Sequence, residues 1–116
     1  MRTWKYEATL LRVIDGDTIV CDIDQGMNHW SRNQGIRLAG INAPELRGDT
    51  KEAGLAAKEF LVNELGSQQL WLRTTAYNEF EKYGRVLALV YTSDPDEGGQ
   101  SVNQLLIDSG HAVKYL

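Results

Sequence analysis

The chain has 116 residues, of which 42% are hydrophobic and 24% are charged, and this is enough apolar material for one modest core. We therefore expect a single domain over residues 1–116. The formal net charge of −4 excludes a uniformly basic surface that coats nucleic acid, and no stretch approaches the roughly 20 apolar residues of a membrane span.

The first third of the chain predicts three strands. Residues 5–14 ("KYEATLLRVI") are rich in β-forming residues and run into Asp15-Gly16, which is a strong hairpin signal. Residues 17–23 alternate well enough for a second strand. Residues 27–30 and 35–41 predict a third strand, bent or interrupted between Ser31 and Gly35, and the three strands should form an antiparallel meander.

The period of the apolar residues changes after Asp49 and predicts a helix that ends at Gly66. Asp49 followed by Glu52 resembles a capping box, and glycine is the usual residue just after a helix end. The predicted buried stripe consists of Ala53, Ala56, Ala57, Phe60, Leu61 and Leu65.

Two more strands and a short helix complete the predicted order of elements. Residues 69–76 and 85–92 return to strand character, and Ser101 with Gln104 predicts the start of a helix that ends at Gly110. The fold class is mainly β with helices (α+β). Five strands with a helix after the third strand and a short C-terminal helix indicate a Greek-key OB-fold barrel, which the first helix would plug at one end.

Polar residues cluster in three short motifs: "IDGDT" at 14–18, "RLAGINAPE" at 37–45 and "KYGR" at 82–85. Their order, with a helix between the second and third, resembles the signature motifs of the staphylococcal nuclease (thermonuclease) family. The resemblance extends over about residues 8–115. It implies a calcium-dependent nuclease that hydrolyses DNA and RNA with low sequence specificity, prefers single strands and leaves 3′-phosphates.

The resemblance implies a Ca²⁺ site formed by Asp17, the side chain of Asn42 and the carbonyl of Ala43. Calcium accepts carboxylate, amide and backbone oxygens among six to eight ligands. Many family members have a second aspartate where this chain has Asn42. The missing negative charge predicts weaker calcium binding. Asp15 is interpreted as a turn residue that supports the site.

The resemblance also assigns the catalytic residues Arg37, Glu45 and Arg85. Two guanidinium groups can grip one phosphate and stabilise the extra negative charge of the transition state. The carboxylate can act as a general base or only orient the attacking water. Lys82 and Tyr83 match residues that contact a terminal phosphate, whereas Arg47 has no motif partner and is predicted to be a surface residue.

Two other functions remain open at this point. The chain could be a catalytically weak or inactive OB-fold module that binds nucleic acid, a hypothesis that Asn42 favours. Arg37 and Arg85 could instead form structural ion pairs in an interaction protein. The lone Cys21 excludes an internal disulfide, and the N-terminus lacks the apolar core of a signal peptide. We expect a cytoplasmic monomer or weak homo-oligomer that is not bound to a membrane, with secretion of a processed form left open.

Overall fold

A computed structural model of the chain describes residues 4–66, 69–74 and 84–115. Five strands form a closed barrel in the order β1-β2-β3-β6-β5, in which β3 and β6 run parallel and the other neighbours run antiparallel. The elements in chain order are β1 (Trp4–Asp15), β2 (Thr18–Gly26), β3 (His29–Leu38), β4 (Ile41–Asn42), α1 (Lys51–Leu65), β5 (Gln69–Thr74), β6 (Val86–Tyr91), α2 (Val102–Asp108) and β7 (Val113–Lys114). The predicted five-stranded OB-fold barrel is confirmed. The short strands β4 and β7 pair with each other outside it.

The hairpin between β1 and β2 is the turn that the sequence predicts. Asp15 pairs with Thr18, so Gly16 and Asp17 alone connect the two strands. Along β2 the alternation places Ile19 and Cys21 in the core. Burial raises the pKa of the Cys21 thiol to about 12, which agrees with its interpretation as a small core residue.

Of the two alternatives predicted for the third strand, the interruption is wrong, whereas a bend agrees with the β-bulge in β3. β3 continues from His29 to Leu38, and a register shift against β2 absorbs the irregularity. Cys21 faces Gln34 and Ile23 faces Ser31, so β3 has one residue more than β2 in this interval. Asn33 lies in this interval with φ of 55°, a conformation that asparagine tolerates better than most residues. The polar residues between Ser31 and Gly35 therefore form a bulge within the strand.

The long helix has its predicted C-terminus but a different N-terminus. A 3₁₀ turn at Gly48–Thr50 leads directly into α1, and the N–H of Lys51 donates to the carbonyl of Gly48. No side chain caps this start, so the prediction that Asp49 caps the helix is wrong. At the other end Gly66 has φ of 44° and donates to the carbonyl of Val62, as predicted.

The buried face of α1 is rotated from the predicted stripe. Gly54, Ala57, Leu61 and Leu65 are buried, whereas the predicted Ala53 and Ala56 are exposed. A hydrophobic pattern favours alanine over glycine as an inward residue, but here Gly54 lies where the helix packs against backbone atoms of Pro44 and Glu45. Among the described residues, no helix is long and apolar enough to cross a membrane.

The short helix α2 fixes the end of β3. Ser101 accepts a hydrogen bond from the N–H of Gln104, which confirms the predicted cap. The buried side chain of Asn103 accepts from the N–H of Val90 at 2.9 Å and donates to the carbonyl of Ala39 at 2.8 Å. Because Ala39 directly follows β3, this bridge orients the segment that carries the second motif.

Candidate active site

Asp17 lies in the β1–β2 turn and connects three parts of the chain. Its Oδ2 accepts from the N–H of Ala43 at 2.9 Å, and its Oδ1 accepts from the Thr18 hydroxyl at 3.2 Å. Its carbonyl accepts from the N–H of Leu38 at 2.8 Å. The side chain is only 11% exposed. The turn, the end of β3 and the segment after β4 are therefore held around one carboxylate.

Asp15 supports this turn, as predicted. Its Oδ1 accepts from the N–H of Asp17 at 3.1 Å. Burial raises the pKa of Asp15, and the nearby carboxyl group of Asp17 raises it further. Asp15 therefore supports the turn through this hydrogen bond to the backbone of Asp17.

Arg37, at the end of β3, provides a cation for Asp17. Its Nη1 donates to the carbonyl of Leu38 at 2.9 Å, and its Nη2 donates to the carbonyl of Ile41 at 3.0 Å. The same Nη2 lies 3.3 Å from Oδ2 of Asp17 and 3.4 Å from Oδ1 of Asn42. The guanidinium therefore lies between two of the predicted metal ligands, in an orientation that backbone carbonyls fix.

Arg85 reaches the same turn from the start of β6. Its Nη1 lies 3.2 Å from the Thr18 hydroxyl, which itself donates to Asp17. Its aliphatic stem crosses Gly35 on β3, where an added Cβ would lie 3.0 Å from Cγ of Arg85. Gly84 has φ of 81°, the sharp bend predicted for this glycine. The structure thus brings Arg37, Arg85 and Asp17 together.

Sequence reasoning did not single out Thr18 and Gly35 as parts of the site. Thr18 belongs to the first motif; its backbone pairs with that of Arg37 across β2 and β3, and its hydroxyl lies 3.2 Å from Nη1 of Arg85. The motif itself contained the signal for Thr18. The contribution of Gly35 depends on the register between β3 and β6, which the sequence does not specify.

Glu45 lies in a more open part of the site. Its side chain is 74% exposed, and its Oε2 is 3.6 Å from Nε of Arg47, a residue that is 86% exposed. The prediction that Arg47 is a surface residue is confirmed, but Arg47 does have a motif residue as its neighbour. Glu45 is accessible to water on the same segment that Ala43 anchors to Asp17.

The predicted calcium ligands are brought to one place. Asp17 and Asn42 share Arg37 as a neighbour, and the N–H of Ala43, whose carbonyl is the third predicted ligand, donates to Asp17. Their oxygens match the preference of a hard cation for carboxylate, amide and carbonyl donors. Within residues 4–66, 69–74 and 84–115, no group of three or more His, Cys, Asp and Glu residues could hold a metal ion. The three roles in calcium binding stay predictions.

The predicted substrate-binding residues Lys82 and Tyr83 lie outside the described residues. Their contact with a terminal phosphate stays a prediction. Arg85, two residues further along the chain, is the part of the third motif whose side chain the structure places at the turn.

Comparison with known proteins also indicates the family to which the chain is related. The family model described as "Staphylococcal nuclease homologue" matches residues 35–116. This range contains Arg37, Asn42, Glu45 and Arg85, whereas Asp17 precedes it.

Individual relatives extend the similarity across the barrel. An "Uncharacterized endonuclease" of Escherichia coli is 32% identical over 107 residues, which cover 91% of this chain and 59% of the relative. A "Thermonuclease" of Staphylococcus hyicus is 32% identical over 106 residues, covering 89% and 56%. A "Thermonuclease" of Staphylococcus intermedius is 36% identical over 86 residues, covering 72% and 47%. The chain thus spans about half the length of the curated relatives it matches.

Proposed function

The chain belongs to the staphylococcal nuclease homologue family, and we propose that it is a calcium-dependent nuclease that hydrolyses phosphodiester bonds in DNA and RNA. The observation that carries the proposal is the convergence of Arg37 and Arg85 on the Asp17–Thr18 turn. We further propose low sequence specificity, a preference for single strands and products with 3′-phosphates.

Arg37 and Arg85 would bind the scissile phosphate. A guanidinium presents several N–H donors in a plane, which suits the oxygens of a phosphate. Arg37 is already oriented by the carbonyls of Leu38 and Ile41, so little reorganisation is needed when negative charge develops. The two arginines would stabilise the transition state more strongly than the substrate, and this difference accelerates hydrolysis.

Glu45 would activate or orient the attacking water. Its exposed carboxylate can accept a proton from a water molecule. Its segment is linked to the arginines because Ala43, two residues earlier, is bonded to Asp17. The carboxylate and the two guanidinium groups would thus act from separate segments on one phosphate.

Asp17, Asn42 and the carbonyl of Ala43 would hold the calcium ion. When bound, Ca²⁺ would neutralise phosphate charge and polarise the P–O bond. Because Asn42 contributes no formal charge, we expect lower affinity than a site with two carboxylates would have. Asp15 would reinforce the site through its hydrogen bond to the Asp17 backbone.

The proposal is tested by incubating the purified protein with single-stranded DNA and with RNA, in millimolar calcium or in chelator. We expect cleavage with calcium, none with chelator, and 3′-phosphate ends on the products. A Glu45→Gln variant purified in parallel should be nearly inactive, while Glu52→Gln, which alters an exposed carboxylate on α1, should keep full activity. Equal cleavage by the wild type and Glu45→Gln would contradict the proposal.

The alternative function is binding of nucleic acid without hydrolysis. The position of Arg37 between Asp17 and Asn42 favours it, because a guanidinium there already supplies positive charge. A binding module would retain oligonucleotide equally well in calcium and in chelator and would release no product. The incubation described above separates the two functions if bound and cleaved oligonucleotide are both measured.

A further inference from the structure

The main chain at Glu45 packs directly on α1 at Gly54. A Cβ added to Gly54 would overlap the carbonyl oxygen of Glu45 and would lie 2.8 Å from its carbonyl carbon. It would also lie 3.0 Å from the carbonyl oxygen of Pro44. These neighbours are backbone atoms, which cannot rotate away as a flexible side chain can. The contact therefore requires glycine at position 54.

Glycine at position 54 lowers the stability of the helix, and the close contact with the Glu45 segment offsets this loss. Gly54 is the fourth of the 15 residues of α1. Glycine inside a helix is about 1 kcal/mol less favourable than alanine. A helix that needed only to cover the barrel would be more stable with alanine at position 54. The close approach to the Glu45 segment is the structural gain that offsets this loss.

Thr50 holds the same carbonyl from the start of the helix. Its hydroxyl lies 2.9 Å from the carbonyl oxygen of Glu45 and 3.2 Å from that of Arg47. The hydroxyl can donate to either oxygen, so it ties the segment between them to the first turn before α1. Gly54 allows the helix to come this close, and Thr50 keeps the segment against it.

A second glycine continues this packing toward Asp17. A Cβ on Gly16 would lie 2.8 Å from Cβ of Ala43 and 2.8 Å from Cβ of Ala57. The turn that carries Asp17, the segment that carries Glu45 and the helix therefore meet with no room for a further methyl group. A Cβ at Gly54 would therefore push directly on backbone atoms of the segment that carries Glu45.

The direction of the Glu45 side chain depends mainly on the packing of its backbone. It is 74% exposed, and its ion pair with Arg47 at 3.6 Å is too exposed to fix its direction. We propose that Thr50 and Gly54 are positioning residues that aim the carboxylate of Glu45 by fixing its main chain. This inference rests on the proposed nuclease function, because it assigns the two residues a part in placing the group that handles the attacking water.

The test combines Gly54→Ala and Thr50→Val with Glu45→Gln in a double-mutant cycle. In the wild-type background each substitution should lower kcat by about tenfold or more, since small misplacements of catalytic groups are costly, and should leave KM within about twofold. In the Glu45→Gln background neither should lower kcat further, because the group they position is no longer functional.

Ala53→Gly provides the matched control. It makes the reverse exchange at the neighbouring exposed position of α1. It should destabilise the helix through propensity alone and leave kcat unchanged. If kcat fell with helix stability in this control, the loss in Gly54→Ala would reflect stability and the inference would be wrong.

The remaining outcomes are also decisive. If Gly54→Ala does not fold, Thr50→Val decides alone, since it only replaces a hydroxyl with a methyl group of similar size. An active wild type whose Thr50→Val variant keeps its kcat, or loses as much in the Glu45→Gln background, overturns this inference and leaves the proposed function intact. A wild type that cleaves no nucleic acid with calcium overturns both.

Discussion

Two halves of the candidate site differ in how the chain holds them. In the strand half, formed by Asp17 and Arg37, the side chains are 11% and 15% exposed and are bonded to backbone groups. In the loop half, formed by Glu45 and Arg47, the side chains are 74% and 86% exposed and contact each other at 3.6 Å. The strand half is ordered by side-chain hydrogen bonds, and the loop half by the packing of its backbone.

Because the two halves are held differently, substitutions in them should affect folding stability and catalytic activity to different extents. Removing Arg37 leaves backbone acceptors without their donor, and removing the Asp17 carboxylate leaves the N–H of Ala43 without its acceptor, so folding should suffer together with function. Removing a carboxylate from the loop half leaves nothing buried unsatisfied. Substitutions in the two halves should therefore differ in unfolding free energy even where they are equally harmful to catalysis.

The largest effect is expected for Glu45→Gln. If the carboxylate acts as a general base, its replacement by an amide of the same shape should lower kcat by about 10²–10⁴-fold. The melting temperature should stay at the wild-type value because the side chain is exposed. Steady-state kinetics and thermal melts on the same preparation check this. A clear drop in Tm would show that the Glu45 side chain also stabilises the fold, and the proposed difference between the two halves would then be wrong.

Arg37→Ala should affect both quantities. Loss of the guanidinium should lower kcat by about 10²–10³-fold, as for removal of a transition-state donor. It also leaves the Asp17 carboxylate and the carbonyls of Leu38 and Ile41 without this donor, which should cost about 1–3 kcal/mol in unfolding free energy. Urea unfolding measures the second effect. Arg12→Ala, at an exposed residue of β1, is the matched control and should change neither quantity substantially.

Calcium should stabilise the native protein through the strand half. At a calcium concentration ten times Kd, binding to the native state alone adds about 1.4 kcal/mol. Asp17→Asn should abolish the calcium-dependent rise in Tm, whereas Glu45→Gln should retain it if the metal depends mainly on Asp17. Thermal melts with calcium and with chelator, made on all three proteins, measure the difference. An unchanged rise in Asp17→Asn would remove Asp17 from the predicted ligands.

Much of the fold follows from local signals. The Asp15-Gly16 turn, the helix end at Gly66 and the cap at Ser101 each depend on residues within a few positions of one another. The predicted cap at Asp49 is wrong because a 3₁₀ turn at Gly48–Thr50 precedes α1 and its Gly48 carbonyl accepts from the N–H of Lys51, which a capping pattern cannot reveal. Neighbouring residues were therefore sufficient to predict the turns and caps whose hydrogen bonds stay within a few positions of the chain.

The candidate site shows the limit of sequence reasoning more clearly. The motifs gave Asp17, Arg37 and Glu45, but their grouping depends on the register that pairs Thr18 with Arg37. Gly54 was missed because its importance lies in what a Cβ would strike, and those atoms belong to a segment nine residues earlier in the chain. A hydrophobic pattern reports which side chains are apolar, and it does not reveal a position where the packing excludes any side chain.

The smallest effect is expected for Arg47→Gln, which tests the loop half alone. The ion pair between Arg47 and Glu45 is long and exposed at both ends, so water and salt should weaken it. We expect kcat to fall by less than about fivefold, which corresponds to the upper range for a surface ion pair. The difference should shrink further as salt is added, and Tm should not change. Arg32→Gln, which breaks an exposed pair with Asp22 on the barrel strands, is the control. A loss of 100-fold or more in Arg47→Gln alone would show that this arginine contacts the phosphate, and the loop half would then bind substrate as well as place the water.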